Sequence, residues 1–218
     1  MFCMKAEMIN RELIMANSVL YSERFGFDLA GDPFPWFLLS VLFGARITES
    51  IAVRTFFLFK SEGLTTPESI TNAGFDRIVS ILDSGGYTRY DFKTAAKLDE
   101  LSKSIISRGG LTSIHEDVSG MGDLVAQLKG LAKGIGDVTV GIFLREMVGV
   151  WEKAEPYPSE LVRKGAEYLG IDACKGHREF GVSYGRFESF LLKVARKCLR
   201  KKSSKNRGFC DLIKERAA

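Results

Sequence analysis

The feature that most constrains this chain is a short glycine turn between two apolar-striped segments, Leu128-Lys-Gly-Leu-Ala-Lys-Gly-Ile-Gly-Asp-Val-Thr-Val140. Gly134 and Gly136 carry no side chain, so the backbone can turn tightly and approach a ligand closely. The flanking segments have the apolar spacing of helices. The pattern therefore predicts two helices joined by a hairpin, whose amide hydrogens, with the dipole of the second helix behind them, can bind an anion.

Helical spacing extends along nearly the whole chain of 218 residues, without convincing period-two alternation and without an internal repeat. The sequence is therefore predicted to be all-α. The Gly- and Ser-rich segment 109–122 is predicted to be an exposed crossing between two lobes. An N-terminal helical segment is expected over 1–31, and a basic tail over 201–218.

Composition and charge exclude a membrane protein and a secreted one. The longest apolar run, 35–45, is about half of the roughly 20 residues that a spanning helix needs. Glu7 and Glu12 lie where a signal peptide requires an apolar stretch. Seven cations without an acid between Arg196 and Arg207 favour a polyanionic partner. The sequence thus predicts an intracellular protein of the cytoplasm or nucleoid.

The cysteines and histidines indicate no metal site and no cofactor. The four cysteines, at positions 3, 174, 198 and 210, show no C-x-x-C pair and no compact run that would ligate zinc or an iron–sulfur cluster. They are interpreted as free thiols in a reducing compartment. His115 and His177 have no partner at a ligand spacing.

Three segments between Asp32 and Lys197 carry a family resemblance. The first is 33–49, a run of apolar residues that ends in Arg46-Ile-Thr-Glu49. The second begins at Thr66-Pro67 and continues through Gly86-Tyr87 to Lys93-Thr-Ala-Ala96. The third is the hairpin, with its Gly-Ile-Gly-x-x-Thr pattern and Lys133 before it.

In this order, the three segments resemble the helix-hairpin-helix DNA glycosylase superfamily, which includes endonuclease III, the adenine-mismatch glycosylase and the alkyladenine glycosylases. Arg46 replaces the glutamine that is usual in that family, and Lys133 replaces a common proline. The resemblance implies a two-lobed glycosylase domain over 32–200, with a DNA-binding cleft between the lobes and without the iron–sulfur cluster of some members.

The resemblance also implies roles for individual residues. Arg46 would fill the space left in the duplex by a flipped nucleotide, unless it pairs with Glu49 at a helix end. The aromatic rings of Trp36 and Tyr87 would stack on the extruded base or, as is common in apolar surroundings, pack in the core. The hairpin residues would contact DNA phosphates and contribute affinity without reading sequence. These hairpin residues are Lys133, Gly134, Ile135, Gly136 and Thr139.

The catalytic position departs from the family pattern. Bifunctional members carry a Schiff-base lysine two residues beyond the Gly-x-Gly, where this chain has Val138, which cannot attack a sugar carbon. The family's catalytic aspartate follows the second hairpin helix, yet 148–162 contains no Asp. Counting from the hairpin places Glu155 at that position, and matching the next helix start places Ser159 there. Glu152 is a third candidate.

Two functions of different classes follow from these residues. The first is a monofunctional DNA repair glycosylase, a monomer that hydrolyses the N-glycosidic bond of a damaged or mismatched base in double-stranded DNA and leaves an intact abasic site. The missing aspartate motivates the second, a lesion- or structure-recognising DNA-binding protein without hydrolysis. A coincidental hairpin in a protein-interaction module is a third interpretation.

Overall fold

The computed structural model describes residues 9–199, 208–210 and 213, and within these residues the protein forms helices and no β-strand. The predicted all-α class is therefore confirmed. The helices, in chain order, are α1 (Arg11–Ala16), α2 (Tyr21–Phe25), α3 (Phe34–Phe43), α4 (Glu49–Ser61), α5 (Pro67–Ala73), α6 (Phe75–Gly85), α7 (Asp91–Ser107), α8 (Leu111–Asp117), α9 (Met121–Lys129), α10 (Asp137–Met147), α11 (Glu160–Leu169), α12 (Gly176–Glu179) and α13 (Tyr184–Cys198). None of the described helices has both the length and the apolar character needed to cross a membrane.

The chain divides into two compact units. Unit 1 takes its described residues from Met1–Phe25, Arg145–Gly149 and Pro156–Ala218, and unit 2 consists of Gly26–Leu144 and Val150–Glu155. Segment 109–122, predicted to be an exposed crossing, lies inside unit 2 and contains α8. The prediction is wrong because Leu111 and Ile114 have helical spacing and are buried.

Unit 2 is organised around α3, whose side chains from Phe34 to Leu42 are almost all buried. A helix that is apolar on all sides is expected in a core rather than at a surface. The Trp36 indole N–H donates to the carbonyl of Phe143 at 2.9 Å, so α3 and α10 are joined by a buried polar contact as well as by packing. Phe37 packs edge-to-face against Phe143 with ring centroids 4.9 Å apart.

Unit 1 is organised around α11 and α13. Its core contains the α13 residues Phe187, Phe190, Leu191 and Val194, as their spacing in the sequence predicts. Gly165 brings the two helices together: a Cβ at this position would lie 2.4 Å from the carbonyl oxygen of Leu191.

The last turn of α10 belongs to unit 1, where its charged residues are paired. The guanidinium of Arg145 donates to Glu188 at 3.0 Å, and both side chains are largely buried. The carboxylate of Glu146 accepts the backbone amides of Tyr21 and Ser22 at 2.9 Å and so caps the start of α2. Buried charges need such partners, because an uncompensated one is strongly destabilising.

Two of the four cysteines are paired. Cys198 and Cys210 form a disulfide with their Cα atoms 5.4 Å apart, whereas Cys174 is a free, half-buried thiol. The interpretation of Cys198 and Cys210 as free thiols is therefore wrong. The sequence did not indicate the pairing because spacing alone does not specify which cysteines approach each other. Cys3 and most of the predicted basic tail over 201–218 lie outside the described residues.

Candidate nucleic-acid interface

The hairpin forms as predicted between α9, which ends at Lys129, and α10, which begins at Asp137. Lys133 and Gly134 are exposed at its tip. Leu131 and Ile135 are buried beneath it, so the turn is fastened to the core by apolar side chains. The turn therefore presents backbone at the surface while its apolar side chains are buried.

The two hairpin glycines differ in what the structure requires of them. Gly134 has φ +89°, a left-handed conformation that favours glycine. Gly136 has no such torsion, and no heavy atom of the described residues lies within 4 Å of where its Cβ would stand. The space in front of Gly136 is therefore open for a ligand to approach its backbone.

Two predicted DNA contacts are corrected by burial. The Ile135 side chain packs inward, and its amide donates to the carbonyl of Ala132 at 3.1 Å. Thr139 is buried against α3, where a Cβ on Gly44 would lie 2.2 Å from its Oγ1. Both residues hold the hairpin in place, and neither side chain offers a surface to DNA.

The contact between Gly44 and Thr139 also positions Arg46. Because Gly44 ends α3 directly against the first turn of α10, the turn that carries Arg46 lies beside the start of that helix. Arg46 is exposed. The structure therefore brings Arg46 and the hairpin to one region of unit 2, although they are far apart in sequence.

Charges surround the hairpin, and two of them were not found by sequence reasoning. The backbone N–H of Lys133 donates to Glu100 Oε2 at 3.1 Å. Lys97, one turn earlier in α7, lies with its Cε 3.3 Å from where a Cβ on Gly134 would stand. Burial lowers the pKa of the Lys97 ammonium. Lys129 forms an ion pair of 3.0 Å with Asp137, at the start of α10.

Val138, which the sequence resemblance aligns with a lysine, lies in the first turn of α10. Its side chain is 64% exposed, so the position faces solvent beside the hairpin. Because the Val138 side chain is mostly exposed, packing in the core does not explain why this position is apolar. The position is accessible, and it carries no nucleophile.

The loop that follows α10 is fixed to α8 and α9. His115 stacks on Trp151 with ring centroids 4.7 Å apart and planes at 13°, and its Nε2 accepts the amide of Lys153 at 3.2 Å. The Lys153 ammonium donates to the carbonyl of Glu116 at 2.6 Å. Burial, and then the charge of Lys153, lower the pKa of His115. The neutral imidazole of His115, in α8, thus holds this loop in place by stacking on Trp151 and by accepting the Lys153 amide.

The three catalytic candidates have different surroundings. Glu155 is exposed, and its backbone amide lies 3.4 Å from the sulfur of Met121. Glu152 is also exposed in the same loop. The Ser159 hydroxyl accepts the amide of Val162 and caps α11. The Ser159 side chain therefore has a structural role. Glu155 and Glu152 remain the two exposed carboxylates of the loop after α10.

The two predicted base-stacking residues belong to the core of unit 2. The side chains of Trp36 and Tyr87 are completely buried. The Tyr87 hydroxyl donates to the carbonyl of Leu42, and burial raises its pKa far above the ordinary range. Neither ring has an exposed face, so both pack as core side chains, the second of the two interpretations that the sequence allows. Aromatic residues of a core and aromatic residues that line a pocket both occur in apolar stretches of sequence, so the sequence could not distinguish the two.

Comparison with known proteins gives no match: neither a family model, nor a curated protein, nor a solved structure is similar to this chain. The resemblance to the glycosylase superfamily therefore rests on the three sequence segments alone.

Proposed function

We propose that this protein is a monofunctional DNA N-glycosylase of the helix-hairpin-helix superfamily, acting as an intracellular monomer in base excision repair on double-stranded DNA with a damaged or mismatched base. The observation that carries the proposal is the hairpin: exposed Lys133 and Gly134, and open space at Gly136, in front of the start of an 11-residue helix. Backbone amides and a helix dipole in this arrangement suit a phosphate group.

Arg46, Glu155 and Val138 have separate consequences for the proposed reaction. Arg46 enters the duplex where the target nucleotide has rotated out, and its planar guanidinium stacks on the neighbouring bases. Glu155 stabilises the positive charge that develops on the sugar, or activates water, while the N-glycosidic bond breaks. Because Val138 cannot form a Schiff base, the strand stays intact at the abasic site.

A duplex panel tests the reaction. Wild-type protein and Glu155→Gln are incubated with duplexes carrying uracil, hypoxanthine, an alkylated purine or 8-oxoguanine, and products are resolved with and without alkali. We expect alkali-dependent cleavage of at least one duplex, and its loss in the variant. Glu68→Gln, which removes an exposed acid from α5, serves as the matched control, and Glu152→Gln tests the third catalytic candidate. Absence of cleavage on every duplex would refute the glycosylase.

A substitution at Gly136 tests the hairpin separately from the chemistry. The position has open space and no left-handed torsion, so Gly136→Val should leave the protein folded. The new side chain would occupy the space that a phosphate needs, and duplex binding should fall more than tenfold. Unchanged binding in a fluorescence anisotropy titration would show that the hairpin is not the DNA contact.

The burial of Trp36 and Tyr87 favours a second function, a DNA-binding protein of the same fold that does not hydrolyse. It would recognise a lesion or an unusual DNA structure without an aromatic base pocket at these residues. Gly136→Val should weaken DNA binding in this case too, whereas Glu155→Gln should change nothing. A protein-interaction module, in contrast, would show no salt-dependent binding to DNA.

A further inference from the structure

A carboxylate of the protein itself occupies the hairpin at the place where the proposed function requires an anion. Glu100 Oε2 accepts the backbone N–H of Lys133 at 3.1 Å, and both residues are exposed. Lys133 and Glu100 are 33 residues apart in the chain, so packing of α7 against the hairpin creates this contact. The hairpin amide is available to a phosphate only after Glu100 moves away.

Lys97, in the same turn of α7 as Glu100, carries the opposite charge. Lys97 precedes Glu100 by one helical turn, on the same face, and lies against Gly134. Among the ion pairs of the described residues, none includes Lys97. The Lys97 ammonium lies beside the exposed backbone of the hairpin. A hydrogen bond from an ammonium to a phosphate oxygen is charge-assisted and therefore stronger than one between neutral groups.

We propose that Glu100 is an internal phosphate substitute that covers the hairpin in the free protein, and that a DNA phosphate displaces it and binds Lys97 together with the hairpin backbone. This inference rests on the proposed DNA-binding function. The displaced carboxylate lies next to the bound phosphate and repels it, so Glu100 weakens binding to every duplex alike. The wild-type protein would then release undamaged DNA more readily than a variant without the Glu100 carboxylate.

Two substitutions change these charges while preserving the packing. In Glu100→Gln, the amide oxygen can still accept the Lys133 N–H, so only the charge is lost. Removing one unit charge about 4 Å from a phosphate in water should tighten binding about fivefold. In Lys97→Met, the apolar stem remains against Gly134 while the ammonium is lost. The slope of log affinity against log salt should fall by about 0.9, the value for one lost phosphate contact.

Matched controls make the same charge changes at other exposed positions of unit 2, Glu68→Gln in α5 and Lys60→Met in α4. Each protein is titrated by fluorescence anisotropy against one undamaged duplex at several salt concentrations. We expect the tighter binding of Glu100→Gln to exceed that of Glu68→Gln at every salt concentration. The slope change should occur in Lys97→Met and not in Lys60→Met.

The outcomes separate this inference from the proposed function. If wild-type protein binds the duplex, but Glu100→Gln binds no tighter than its control and Lys97→Met keeps the wild-type slope, the inference is overturned and DNA binding stands. If wild-type protein binds no duplex at all, both fail. The Lys133 amide resonance provides a readout without DNA. It should shift in Glu100→Gln, and inorganic phosphate should shift it further in both proteins, at lower phosphate concentration in the variant.

Discussion

Adding one methyl group at Gly44 tests how α3 is held against the start of α10. The backbone of Gly44 has φ −67° and ψ −15°, which alanine adopts without strain. The new Cβ, however, would stand 2.2 Å from Oγ1 of Thr139, more than about 1 Å inside an ordinary van der Waals contact. Thr139 is buried, so its side chain has little room to move and the helices must separate.

The magnitude follows from two opposing effects. Overpacking of a close-packed site destabilises by about 1–3 kcal/mol. Replacing glycine by alanine at a compatible backbone position stabilises by about 0.4–1 kcal/mol, because the unfolded chain loses freedom. We therefore expect Gly44→Ala to lower the free energy of unfolding by about 1.3 kcal/mol, the difference between the middles of the two ranges, and by no more than about 2.6 kcal/mol. In a Thr139→Ala background, which removes Oγ1, the same substitution should be neutral or slightly stabilising.

Urea denaturation of the two single variants and the double variant gives the coupling energy between the two positions. Gly122→Ala is the matched control, because Gly122 lies in α9 with no heavy atom of the described residues near its Cβ position. It should be stabilising by up to about 1 kcal/mol. If Gly44→Ala is equally destabilising with and without the Thr139 hydroxyl, the close contact does not set the helix spacing, and the argument is refuted.

Three other predictions follow from the site and from unit 1. Val138→Lys places an amine at an exposed position, so borohydride should trap the variant on abasic DNA while leaving the wild type free; absence of trapping would place Val138 away from the sugar. Burial lowers the pKa of His115 below its ordinary value of 6.5, so the stability from its neutral ring is complete above pH 6.5 and is lost as the pH falls from there towards the folded-state pKa. Urea midpoints should therefore drop between pH 7.5 and 5.5 in wild type, and less in His115→Gln, which does not titrate; equal drops would exclude His115 as the cause. The disulfide should protect Cys198 and Cys210 from a maleimide reagent until a reductant is added, and mass spectrometry of the labelled protein would reveal free thiols if they are not paired.

Local patterns in the sequence predicted local structure well. The apolar spacing in 187–194 identified the buried face of α13, and the glycines of 134–136 identified a turn between two helices. Ser159 was matched to the start of the next helix, and the structure shows it as the N-cap of α11. In each case the structure depends on residues that are close together in the chain, such as a cap, a glycine turn or helical spacing. A single sequence is therefore enough to predict it.

Contacts between distant segments were beyond the sequence. Nothing in residues 97–100 indicates that Lys97 and Glu100 meet the hairpin, because only the packing of α7 brings them there. Trp36 and Tyr87 were assigned to a pocket although they are buried, since an apolar stretch does not say whether an aromatic ring faces a cavity or the core. The reading of 109–122 as a linker gave too much weight to glycine and serine, and too little to Leu111 and Ile114.

The helix that follows the hairpin, α10, is shared by both units: Asp137–Leu144 belong to unit 2 and Arg145–Met147 belong to unit 1. A fragment cut to retain unit 2 as one continuous piece, such as 26–155, would keep Arg145 and Glu146 but lose Glu188 and the α2 amides that they bind. Two ionised side chains would then lack their partners at the end of the helix. The hairpin cannot be treated as a detachable module, and its properties should be measured in the intact chain.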